Sequence, residues 1–176
     1  MPILRLALSQ TNPTVGNIAG NIEAILAVVE QANARSADLV VFGEMAVTGY
    51  PIEDLATRES FVLDSEQAVR NLAAELDKKS LGHIAVVLGH PSMAAPGAQT
   101  GWAIAHNTAS VLLGGSVVGQ YAKHHLPNYS VFDEYRTFVS GNELLTFEHK
   151  GLRFSTVICE DIWQSGGPVS QLAKAN

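Results

Sequence analysis

The sequence holds a single cysteine, Cys159, among 176 residues. One thiol excludes an internal disulfide and any multi-cysteine zinc site, and leaves that sulfur either to pack or to react. Charge is sparse as well: Asp, Glu, Lys and Arg make up 16% of the chain, the net charge is -6, and no Lys/Arg block is present. The counterion release that drives nucleic-acid binding therefore has no basic surface to act through, and no nucleic-acid partner is expected. No apolar run is long enough to span a bilayer, and the apolar start Met1-Pro2-Ile3-Leu4 lacks the charged and hydrophobic regions of a signal peptide. No membrane role is expected, and the location expected is cytoplasmic. His83, His90, His106, His124, His125 and His149 fall at no ligand spacing such as His-Glu-x-x-His, so no metal site is expected. Internal repeats, heptad arrays and low-complexity linkers are missing too.

What is present suits one packed domain: 47% of the residues are hydrophobic. Residues 3–8 read as an apolar strand. Residues 18–35 carry apolar positions at helical spacing (Ile18, Ile22, Ile25, Leu26, Val29, Ala32) behind Asn17, a capping residue. The β-branched run at 38–42 reads as a strand buried on both faces and parallel to the first. A loop is expected over 48–57, a second helix over 59–78, a third strand over 83–89 and a flexible loop over 91–101. Two hairpins follow: 107–113 with 116–121 around Gly114-Gly115, and 144–148 with 152–158 around Lys150-Gly151. Between them, 124–141 reads as a polar loop with aromatics, and Pro168 suits the first position of a closing helix. The order βαβαβ, two hairpins and a helix predicts an α/β fold with a mixed sheet.

Three residues sit where predicted strands end: Glu44, Lys123 and Cys159. Taken singly, each has an ordinary reading: a solvated carboxylate, a surface lysine and a buried core cysteine. Together, a carboxylate, an amine and a thiol supply what amide cleavage through a thioester requires, namely a base, an electrostatic clamp and a nucleophile. The acidic pair Glu160-Asp161 directly after Cys159 marks a strand that has reached a pocket or the solvent.

Four segments carry a resemblance: Gly43-Glu44-Met45-Ala46-Val47-Thr48-Gly49-Tyr50-Pro51, Tyr121-Ala122-Lys123-His124-His125-Leu126-Pro127-Asn128-Tyr129, Val131-Phe132-Asp133-Glu134-Tyr135-Arg136, and Val157-Ile158-Cys159-Glu160-Asp161-Ile162-Trp163. In this order they resemble the nitrilase (carbon-nitrogen hydrolase) superfamily. The run Tyr50-Pro51-Ile52-Glu53-Asp54-Leu55 is most similar to the glutaminase domain of glutamine-dependent NAD synthetases. The resemblance implies a nitrilase-like αββα sandwich with mixed sheets. Residues 1–176 would be the N-terminal portion of a carbon-nitrogen hydrolase domain, cut short after the nucleophile strand and its following helix, with the ATP-dependent synthetase domain absent. It implies Cys159 as nucleophile, Glu44 as general base and acid, Lys123 as oxyanion cation and the Glu160 N–H as a second oxyanion donor. Tyr50 and Tyr129 would line the glutamine pocket and Trp163 would form an aromatic wall. Glu160 is a candidate for the substrate ammonium. Glu134 would hold the lysine and substrate, with helix capping or salt bridging equally open for it.

The glutaminase domain would need no cofactor, whereas the synthetase domain would use ATP and magnesium. Glutamine, the synthetase domain and further copies of the chain in a homo-oligomer are the expected partners. A stand-alone amidase on another small amide, or a non-catalytic interaction domain of the same fold, is the alternative. Ser165-Gly166-Gly167-Pro168-Val169-Ser170 resembles the synthetase's own phosphate loop, but Val169 replaces its aspartate and Pro168 removes an amide donor, so it reads as a loop into the last helix. With Lys123 beside it, the Cys159 thiol is expected to have a depressed pKa.

Overall fold

A computed structural model describes residues 3–99 and 101–175. β1 (Leu6–Leu8) leads into α1 (Ile18–Ala34), which starts where Asn17 Oδ1 accepts the N–H of Gly20. Asn21, Ile25, Val29 and Ala32 form its buried stripe, at the spacing that brings side chains onto one helix face. β2 (Leu39–Val41) pairs parallel with β1, and α2 (Glu59–Lys78) leads to β3 (Ala85–Met93), parallel to β2. β4 (Ala105–Leu113) and β5 (Ser116–Ala122) complete a five-stranded sheet as an antiparallel hairpin.

The sheet order β1-β2-β3-β4-β5 follows the sequence, so both crossovers step in one direction and bring α1 and α2 to the same face. There Ile25, Val29, Leu72 and Leu76 pack on Val40, Val86, Leu88 and Leu112. The opposite face, carrying Leu39, Val87, Ala109, Val111 and Tyr121, packs against a second sheet. That sheet is the hairpin of β6 (Thr146–His149) and β7 (Leu152–Ser155), with Phe147 and Phe154 stacked at 5.3 Å between ring centroids. The result is a helix–sheet–sheet layering in which strand alternation assigns each residue to a layer.

Four expectations need revision. The loop over 48–57 contains a 3-10 helix, Glu53–Thr57. The segment 124–141 contains a one-turn helix, α3 (Glu134–Thr137). β3 continues through Pro91 to Met93 instead of ending at Gly89. The carbonyls of Val87 and Gly89 accept from Phe42 and Val47 on the β2 side, so Pro91, two residues on, turns its missing donor to that side, where the β2 ladder has already ended. Finally, β7 stops at Ser155 and does not itself deliver Cys159. The Asp161 carboxylate takes the Ile158 N–H at 3.3 Å, and a 3-10 turn, Cys159–Ile162, begins with Cys159 at φ 43°. The final helix, α4 (Pro168–Ala175), starts at Pro168 as expected.

The turn after β2 is pressed on β3 at Gly89. A Cβ there would lie 2.4 Å from Met45 N and 2.8 Å from Glu44 Cα, both backbone atoms that cannot move aside cheaply. Gly89→Ala should therefore lower stability by about 1–3 kcal/mol, the usual cost of overpacking, and displace Glu44. Urea unfolding of the two proteins measures this, and an unchanged midpoint would refute the tight contact.

Candidate active site

Lys123 leaves β5 on the same face as Tyr121, toward the second sheet. Its backbone is pinned on both sides: its N–H donates to Asn107 O and its carbonyl accepts the Gly141 N–H, each at 2.8 Å. The side chain is 0% exposed. An ammonium buried this completely needs carboxylates, and two are present. Nζ lies 2.8 Å from Glu44 Oε1 and 3.0 Å from both Oε1 and Oε2 of Glu134, with hydrogen-bond geometry to Oε1 only. Burial by itself would lower the Lys123 ammonium, but Glu44 and then Glu134 outweigh it and hold it above its ordinary value. Burial pushes the Glu134 carboxyl up, against the pull of Lys123.

Glu44 follows the buried end of β2, and its Oε1 also accepts from Asn107 Nδ2 at 2.5 Å. Tyr50, one turn further on, donates its hydroxyl to Glu134 Oε1 at 2.9 Å. Burial and the neighbouring Glu134 raise the Tyr50 pKa, so it stays a donor. β2, β4, β5 and α3 thus meet in one polar knot inside an apolar core.

Cys159 reaches this knot from the second sheet's side. It lines, with Glu44, Phe42, Gly89, Ala109 and Ile158, a cavity of about 230 Å³. Two larger depressions, of about 340 and 390 Å³, lie around Gln120 on the helix-facing side of the first sheet; neither is lined by Glu44, Lys123 or Cys159. The turn that carries Cys159 is anchored by Asp161, which is 0% exposed. Its carboxylate accepts from Tyr121 Oη at 2.6 Å and from the His125 N–H at 2.8 Å, and sits 3.0 Å from His125 Nδ1. Asp161 thereby ties the turn that carries Cys159 to the strand and loop flanking Lys123.

The expected depression of the Cys159 pKa is overturned. Although the residue as a whole is exposed, partial burial of the thiol is the largest influence and raises it; Glu44, Glu134 and Glu160 add to the rise, and Lys123 opposes them. Two carboxylates per ammonium leave this knot negative, a balance that the neighbouring lysine alone does not reveal. At rest this environment favours the thiol over the thiolate.

Among the expected pocket residues, Glu134 and Tyr50 join the knot directly. Glu160 and Tyr129 form a separate pair: Tyr129 Oη donates to Glu160 Oε2 at 2.8 Å, while Gln164 Nε2 donates to Oε1 at 2.5 Å. These two donors hold the Glu160 carboxyl below its usual range. Trp163 departs from expectation. It caps the 3-10 turn and is 76% exposed, with its ring in solvent and no wall formed. Asn107 and Asp161 were missed. An amide interrupting the apolar stretch of β4, and an acid following the cysteine by two, were the available signals. Among the described residues, no three His, Cys, Asp or Glu side chains group to hold a metal ion.

Residues 5–175 match the carbon-nitrogen hydrolase family. The chain belongs to that family. It is 39% identical over its whole length to a glutamine-dependent NAD(+) synthetase of Acinetobacter baylyi, covering 30% of that protein. It is 36% identical to the Thermotoga maritima protein of the same name, over 98% of this chain and 28% of the other. The solved glutamine-dependent NAD+ synthetase of Acinetobacter baumannii, in complex with ADP, superposes with a TM-score of 0.86 and 37% identity, over 98% of this chain and 30% of that one. An amidase from Nesterenkonia shares the fold at a TM-score of 0.72 and 21% identity, over 92% of this chain and 57% of its own. This carbon-nitrogen hydrolase chain thus spans about 30% of the length of the synthetases it matches.

The thiol's environment yields a pH test. Alkylation of Cys159 by iodoacetamide should rise with pH through a midpoint above that of a free cysteine, because its charged form is disfavoured. Glu44→Gln, which removes a negative neighbour, should lower that midpoint. A wild-type midpoint at or below the free-thiol value would contradict this arrangement.

Proposed function

We propose that this chain carries the glutamine-hydrolysing half-reaction of a glutamine-dependent NAD synthetase. The observation that carries the reading is the Lys123–Glu44 pair at 2.8 Å, with Glu44 also lining a cavity that Cys159 lines. In the proposed reaction Glu44 takes the thiol proton as Sγ attacks the carboxamide carbon. The oxyanion forms against Lys123 Nζ and the N–H of Glu160, which lies in the first turn of a 3-10 helix where no intrahelical acceptor exists. Glu44 returns the proton to the departing nitrogen, leaving ammonia and a γ-glutamyl thioester. Water, deprotonated by Glu44, then releases glutamate, and the proton goes back to sulfur.

The charge accounting favours this order of events. When Glu44 accepts a proton it stops competing for Lys123, and the ammonium is released toward the oxyanion at the moment that charge appears. Glu134 keeps the lysine oriented throughout. Tyr50, Tyr129 and Glu160 form the amino-acid side of the pocket, with Glu160 facing the substrate ammonium. Trp163 would need a covering element or partner to act as a wall.

In the intact enzyme the ammonia would pass to an ATP- and magnesium-dependent synthetase domain that amidates deamido-NAD to NAD. A homo-oligomer is part of the same proposal.

Cys159→Ala should abolish ammonia release from glutamine. Profiling of glutamine, asparagine and simple amides with the wild-type protein should rank glutamine first; ammonia release by the variant, or preference for another amide, would defeat this reading. Tyr129→Ala should raise the glutamine KM severalfold while leaving the Cys159 alkylation rate within about twofold, as a pocket residue does when it binds without reacting. An unchanged KM would return Tyr129 to packing.

A further inference from the structure

Asn107 lies in the middle of β4 on the face turned to the second sheet, between Ala105 and Ala109, and is 0% exposed. Its Nδ2 donates to Glu44 Oε1 at 2.5 Å, and its main-chain oxygen accepts the Lys123 N–H at 2.8 Å. Its side-chain oxygen Oδ1 is buried and, among the described residues, has no hydrogen-bond partner. A buried acceptor left unmade costs about as much as a lost hydrogen bond, and an aliphatic side chain in this strand would avoid that cost. Stability therefore gives little reason for an amide here.

We propose that Asn107 is the positioning residue of the general base: it and Lys123 occupy Glu44 Oε1 together, leaving Oε2 as the oxygen that receives the thiol proton. The inference rests on the reading of Glu44 as base given above. Two donors on one carboxylate oxygen stop the group from rotating and fix which oxygen faces the thiol. Asn107 joins the base to its clamp, holding Glu44 by its side chain and Lys123 by its backbone. The charged and titratable groups facing Glu44 are Lys123 from the exit of β5, Glu134 from α3, Tyr50 from the loop after β2 and Cys159 from the 3-10 turn. Among these, Lys123 is the one cation.

The test uses Asn107→Leu, with the same branch point and no donor, and Asn107→Ala, which adds no bulk should leucine not fit. Both should lower kcat for glutamine by about 10-fold or more with KM within about twofold, in line with loss of a positioned base. The rate of Cys159 alkylation should stay within about twofold of wild type, because the thiol itself is untouched. The melting temperature of Asn107→Leu should stay at or above the wild-type value. Unchanged kcat in either folded variant overturns the proposal. So does a loss of kcat that merely follows loss of stability, or one matched by a comparable rise in KM. If the wild-type protein hydrolyses no amide at all, the failure lies with the functional reading itself; if it hydrolyses one and the variants match it, only the role of Asn107 falls.

Discussion

The buried ammonium of Lys123 is the constraint around which this molecule is arranged. A cation with no exposed side-chain surface is tolerable only if carboxylates meet it at hydrogen-bond distance, and Glu44 and Glu134 do so from 79 and 11 residues away. Each carboxylate brings its own element: Glu44 the turn after β2, Glu134 the one-turn helix α3. Without the lysine, two carboxylates would face each other in an apolar interior, so its removal should damage the fold as well as the chemistry.

Close backbone approach makes this meeting possible. Gly89 lets the Glu44 turn lie directly on β3, and Gly141 lets its loop cross β5, where a Cβ would fall 2.2 Å from Ala122 O. Asp161 does the corresponding work for the thiol. A buried carboxylate with several donors at 2.6–3.4 Å is an expensive group to desolvate, but once satisfied it is rigid. It diverts the chain from the second sheet at Ile158 and turns Cys159 toward Glu44. Burial first, and then the negative balance of the knot, disfavour the Cys159 thiolate, so in the proposed reaction the thiol depends on its base.

Much of this was legible in the residues. The boundaries of α1 and α2 followed from apolar spacing and the Asn17 cap, because a helix that buries one stripe writes that stripe into its sequence. The hairpin at Gly114-Gly115 was equally plain. Glu44, Lys123 and Cys159 stood out through the segments around them; Glu44 and Cys159 line a common cavity, and Lys123 is ion-paired with Glu44. Asn107 gave no comparable signal, since a buried amide in a strand is recognisable only by what lies across from it. Trp163 is exposed where a wall was expected, because its exposure depends on where a short turn ends.

The sequence alone determined the order of elements, the mixed α/β layering and the candidates for the reactive groups, all of which depend on local periodicity and on short runs of residues. Tertiary structure decided how the charges add up. Whether Cys159 is activated or held as a thiol depends first on its burial and then on the number of carboxylates within reach of one lysine, and both are set by contacts between elements distant in the chain. Electrostatic effects sum through space and scale with burial, and neither distance nor burial can be read from spacing along the chain.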